Sequence, residues 1–89
     1  MRAIVTVLGK DTVGIIAAVC ALLSQHNVNV LDISQTILQD YFTMVMMVDL
    51  TDCTASFADL AAELEAAGNQ RGLSIRIQRE DIFNAMHKI

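Results

Sequence analysis

The residues with the most chemical potential sit in one short loop and one strand start. The loop is Gly9-Lys10-Asp11-Thr12-Val13-Gly14, directly before an apolar helical run. A helix that begins at Gly14 presents unpaired backbone N–H groups and the positive end of its dipole, which favours an anion. Gly14 has no Cβ, so a carboxylate can approach the backbone. Asp11 on the same loop can pair with an ammonium. Asn27 and Asn29 lie just past the helix, and an amide there can both donate to and accept from a polar ligand. Each residue also has an ordinary structural reading. Asp11 or Thr12 caps the helix, Gly14 permits close packing, Asn27 is a left-handed helix stop, and Asn29 ends a turn.

No other chemistry stands out. No Ser, Thr or Cys has an adjacent base with an orienting group. His26 and His87 fall at helix ends, where an imidazolium complements the dipole. Asp32, Asp49 and Asp52 do not form an acid–base pair. Cys20 sits in an apolar helical run as core filler. Cys20 and Cys53 are far apart, and neither has a second ligand at metal spacing. Two free thiols are expected, with no metal and no cofactor. The chain does not read as an enzyme.

These residues need elements to position them. Residues 2–8 are β-branched and apolar, which predicts a buried central strand. Ile16, Val19, Leu22 and Leu23 recur at helical spacing over 15–26. Residues 28–39 alternate, with Leu31, Ile33 and Ile37 expected on one face and Asp32, Ser34 and Thr36 on the other, as in a half-exposed edge strand. A turn at Asp40-Tyr41 leads into 42–50, where Phe42, Met44, Met46, Val48 and Leu50 share a face. The Met44-Met46-Met47 run reads as strand packing. Ser56 with Asp59 marks a helix start. Phe57, Leu60, Ala61 and Leu64 make its stripe, and Gly68-Asn69 through Gly72 ends it. Leu73, Ile75 and Ile77 alternate in a last strand. A short helix is expected over 80–88.

The order β-α-β-β-α-β predicts an α+β, ferredoxin-like sandwich. Its four-stranded antiparallel sheet has strands one and three central and both helices on one face. The other face then shows Thr43, Val45, Met47 and Arg76 as an exposed patch. Among ferredoxin-like domains, a metal chaperone needs cysteines in the first loop, and here there are none. An RNA-recognition module stacks bases on strand aromatics, but Phe42 falls on the core side. An acyl-phosphate hydrolase needs an arginine in the loop, and Lys10 is a poor substitute.

Composition bounds the rest. At 89 residues the chain is one domain. Its 54% hydrophobic content exceeds the ~45–50% of soluble domains, and its 18% charged content falls below the ~25% norm. So much apolar surface in so short a chain predicts a homodimer or higher homo-oligomer. The net charge is −4, and the six basic residues are scattered, which argues against nucleic acid. The longest apolar run, residues 13–23, is short of the ~20 residues of a membrane span. No signal peptide is evident at the start, so a cytoplasmic address is the expectation.

The stretch Thr6-Val7-Leu8-Gly9-Lys10-Asp11-Thr12-Val13-Gly14-Ile15-Ile16-Ala17 resembles the ACT domain, a small-molecule-sensing regulatory module. Its Asp-x-x-Gly-hydrophobic turn follows a strand and opens a helix. Asn27-Val28-Asn29-Val30-Leu31-Asp32 resembles the family's Asn-Ile start of strand two. The resemblance covers residues 1–79. Residues 80–89 lie beyond the general domain and look like an extension found in stand-alone bacterial members of unassigned function. Related two-domain proteins include repressors of glycine cleavage. One departure is Val13, which stands where the family often has proline before the loop glycine.

The resemblance implies a ligand, an amino acid by family habit, between the loop of one subunit and strand two of a neighbour. Transferred residue by residue, that site is Asp11, Thr12, Val13, Gly14, Asn29 and, further out, Asn27. A free-standing domain of this kind would signal to a separate protein. The alternative is a protein-interaction module of the same fold without a ligand pocket.

Overall fold

The computed structural model describes residues 1–10 and 14–81. Asp11, Thr12 and Val13 lie outside the described residues, and so does their capping role. Of the helix expected over 80–88, only Glu80 and Asp81 lie within them.

The elements are β1 (Arg2–Lys10), α1 (Ile15–Gln25), β2 (Asn29–Leu38), β3 (Tyr41–Asp49), α2 (Phe57–Arg71) and β4 (Ser74–Arg79). They form one four-stranded antiparallel sheet in the order β2-β3-β1-β4. As the sequence predicts, β1 and β3 are central and β2 and β4 are the edges. Val5, Val7, Met44 and Met46 on the two central strands are fully buried. They share one cluster with Ile15, Val19 and Leu23 of α1, Leu60 and Leu64 of α2, and Ile75 and Ile77 of β4. Both helices therefore cover the same face of the sheet.

The helix ends are built alike. Asn27 N–H donates to Ser24 O at 3.0 Å, and Val28 N–H to Leu23 O at 3.0 Å. Asn27 has φ 60°. The pattern is a Schellman stop, and Asn27 is the left-handed residue its sequence position suggests. α2 ends the same way at Gly72, φ 70°, with Leu73 N–H donating to Gly68 O at 2.8 Å. Gly68 is therefore not where α2 stops. It lies inside the helix, where a Cβ would come within 2.8 Å of Leu73 O, so its lack of a side chain lets α2 rest on β4. At the start of α2, the Ser56 hydroxyl accepts from Asp59 N–H at 3.1 Å.

Two details of β2 differ from the simple alternation. The hairpin turn is Gln39-Asp40, because Tyr41 already pairs with Leu38 and Lys10, and Gln39 takes φ 55° to close the loop. A bulge falls between Val30 and Asp32, leaving Leu31 without a partner. An extra residue shifts the alternation, so Leu31 does not belong with Ile33 and Ile37. Ile33, Gln35 and Ile37 pair with the buried Met46, Met44 and Phe42 and so face the helix side. Asp32, Ser34 and Thr36 face the open side, as expected.

Candidate functional site

The N-terminus of α1 is one half of the candidate site. Its cap is Gly14, with φ 84° and no side-chain cap bond. The expected close packing at Gly14 is not there. Among the described residues a Cβ would meet nothing within 4 Å, and the glycine is required by its backbone angle. Gly14 O accepts from Ala18 N–H at 2.9 Å, which leaves the N–H groups of the first turn without intrahelical partners. No acidic side chain occupies that turn. The end therefore carries the positive pole of the helix dipole.

Asn27 and Asn29 are the other half, and they stand at the opposite end of α1. An 11-residue helix spans about 16 Å, so one chain cannot bring Gly14 and the asparagines around one small molecule. Asn27 is also committed structurally. Its Nδ2 donates to Asp52 O at 3.2 Å and ties the α1–β2 corner to the loop after β3. Thr54 N–H donates to His26 O at 2.9 Å and strengthens the same junction. His26 caps α1, and its Nε2 lies against the Glu63 carboxylate of α2. Around this corner lies a shallow cleft of about 310 Å³ lined by Ser24, Asn27, Val28, Asn29 and Asp52. Asn29 is exposed at its rim. A second groove of about 360 Å³ runs beside β4 and α2 and contains none of the expected site residues.

Asp49 closes the lower end of β3. Its carboxylate accepts from the Thr51 hydroxyl at 2.6 Å and from Thr51 N–H at 2.9 Å. Those hydrogen bonds, the hydroxyl first, hold its pKa below the usual aspartate value. They pin the turn beside Asp52 and so shape the cleft wall. Among the described residues, no group of three or more His, Cys, Asp or Glu could hold a metal.

Between the two halves runs β2. Every residue of it is exposed or half-buried. Ile33 and Ile37 face the helix side yet are 40% and 61% exposed, because neither helix reaches over them. The sequence signals the edge strand through its alternation. It does not signal that the apolar row of that strand would lack a roof.

A family model for the ACT domain matches residues 2–78. The chain belongs to the ACT domain family. This ACT domain is 57% identical over 88 residues to a UPF0237 protein of Bifidobacterium longum, covering 99% of this chain and 98% of that one. It is similar to a solved ACT domain protein from Streptococcus pneumoniae, with 44% identity, a TM-score of 0.82 and 98% of each chain covered. A putative glycine cleavage system transcriptional repressor shares the fold, with a TM-score of 0.73 and 22% identity over 86% of this chain and 44% of that chain. ACT domains are in general regulatory ligand-binding modules. Among the described residues, no helix is long and apolar enough to cross a membrane.

Proposed function

We propose that this ACT domain is a homo-oligomeric regulatory module of the cytoplasm that binds an amino acid between two copies and signals to a separate protein. The observation that carries this reading is the division of the candidate site. Gly14 and the loop before it lie at one end of α1, and Asn29 lies at the other, with the uncovered edge β2 between them. If β2 pairs antiparallel with β2 of a second copy, the strand start of one subunit meets the loop end of the other. Asn29 of one copy then stands at the end of the sheet where Gly14 of its mate opens α1. The ligand carboxylate would take the free N–H groups of the first turn. Asp11, with Thr12 and Val13 completing the loop, would take the ammonium, and Asn29 would close the site. Asn27 would hold the corner in shape.

The pairing also covers the edge and the apolar row of β2. A ligand that bridges two subunits must tighten their association.

Thermal melts against the twenty amino acids at millimolar concentration test the reading. A ligand at 100 times its dissociation constant adds about 2.7 kcal/mol, a shift on the order of 10 °C for a domain of this size. The expected result is a responder whose shift disappears in Asn29→Ala. Flat melts across the set overturn the ligand reading.

A second reading, a docking module without a pocket, draws on the open sheet face. Leu8, Tyr41 and Val45 are exposed there. Of the methionine run only Met47 points that way, since Met44 and Met46 are buried. Flat melts would move the weight to this reading.

A further inference from the structure

Resting on the edge-pairing reading above, we infer that the second copy pairs with β2 in one particular register, with the two-fold axis passing through Gln35. Three features of β2 lead to it.

The first is parity. Residues opposite each other in an antiparallel pair share a face of the sheet. A two-fold axis that fell between two residues would set helix-side residues against open-side ones, and a one-residue slip reverses every side chain. The axis must therefore pass through a residue.

The second is length. The bulge leaves Leu31 unpaired, and the turn begins at Gln39, so the regular stretch is Asp32 to Leu38. Its centre is Gln35. An axis there pairs all seven residues of the stretch with those of the partner. Moving the axis one residue either way leaves five.

The third is chemistry. The helix-side row is Ile33, Gln35, Ile37. Pairing about Gln35 sets Ile33 against Ile37 of the mate, twice, and covers two side chains that are 40% and 61% exposed in the single chain. It sets the two Gln35 amides against each other on the axis, where each can donate to and accept from its twin. On the open side, Ser34 meets Thr36, a pairing of hydroxyls. An axis at Ser34 would place each Gln35 amide against an isoleucine. An axis at Ile33 or Ile37 would leave three regular pairs. The polar residue in an apolar row is thus explained as the residue that meets itself.

In this register Leu38 lies opposite Asp32 of the mate. The mate's bulge and Asn29 then extend past the end of β2, toward the end of the sheet where Lys10 leads into the loop before Gly14. The partner copy thereby contributes a residue to the candidate site, and the site is incomplete without it.

Single cysteine substitutions locate the axis. Residues directly opposite have Cα atoms about 4.5–5.5 Å apart, within the roughly 4.4–6.8 Å range of a disulfide. A residue off the axis is displaced from its own copy along the strands and bridges poorly. Ile33→Cys, Ser34→Cys, Gln35→Cys and Thr36→Cys are oxidised and run without reductant, with the unsubstituted protein as background for the half-buried Cys20 and Cys53. The expected result is a covalent dimer in Gln35→Cys alone among the single variants, and a mixed covalent dimer when Ser34→Cys is combined with Thr36→Cys. Self-bridging centred on Ser34→Cys, Ile33→Cys or Thr36→Cys would overturn the register while leaving the edge pairing intact. No bridging by any variant, with a monomeric mass by light scattering, would overturn both.

Discussion

Asp49 is a small test of how single residues hold the candidate site together. Its carboxylate accepts two hydrogen bonds from Thr51, and its pKa lies below the ordinary value. A carboxylate with a depressed folded pKa contributes stability above its unfolded pKa and loses that contribution as pH falls through the folded one. Asp49→Asn should therefore melt below the parent at pH 7. The gap should narrow as the pH drops below about 4, the range of an ordinary aspartate. Melting curves across that range check it. Asn27 offers a second test, because its backbone angle and its side chain do separate jobs. Asn27→Gly keeps the left-handed angle and loses only the bond to Asp52 O. Asn27→Val loses both and should be clearly the less stable of the two, since a β-branched residue resists positive φ. Chemical denaturation of the pair separates the two contributions. The left-handed role of Asn27 was legible in the sequence because few residues other than glycine accept that angle. Its amide bond to Asp52 was not, because the contact joins two loops far apart in the chain.

At the scale of elements, the fold was readable because local pattern and global topology agree. Phe42, Met44, Met46 and Val48 alternate without interruption, and all four are buried. The helical stripe of α2 delivers Leu60 and Leu64 to the same core. Leu64→Ala should cost about 2–5 kcal/mol, the usual range for a buried leucine, and urea unfolding would measure it. Gly68→Ala should also destabilise, although alanine is the better helix former, because its Cβ would press on the Leu73 carbonyl. What the pattern could not carry was the bulge. Leu31, Ile33 and Ile37 look like one face by their spacing, yet an extra residue at Leu31 breaks the alternation. A bulge depends on what the neighbouring strand offers opposite, and no single strand records that. The division of the candidate site was hidden for a similar reason. Gly14 and Asn29 flank one helix in the sequence, so they look close, and the length of that helix is what separates them.

For the whole molecule, the uncovered edge β2 decides how two copies can meet. The 54% hydrophobic content pointed to a partner before any element was assigned. The fold gives that excess a place, in Ile33 and Ile37 along β2 and in Leu8, Val45 and Tyr41 on the open face. A charge on the helix-side row of β2 would be buried unpaired in the paired state and solvated in the free one. Ile37→Lys should therefore leave the fold intact and separate the copies. The measurement that bears most directly on a site shared between two subunits is the molar mass of the unsubstituted chain, taken by light scattering across a micromolar concentration series. A mass of twice 9.7 kDa or a higher multiple, falling to a single chain in Ile37→Lys, is the predicted result. A single-chain mass throughout the series would contradict the account, because one copy cannot bring Gly14 and Asn29 to the same ligand.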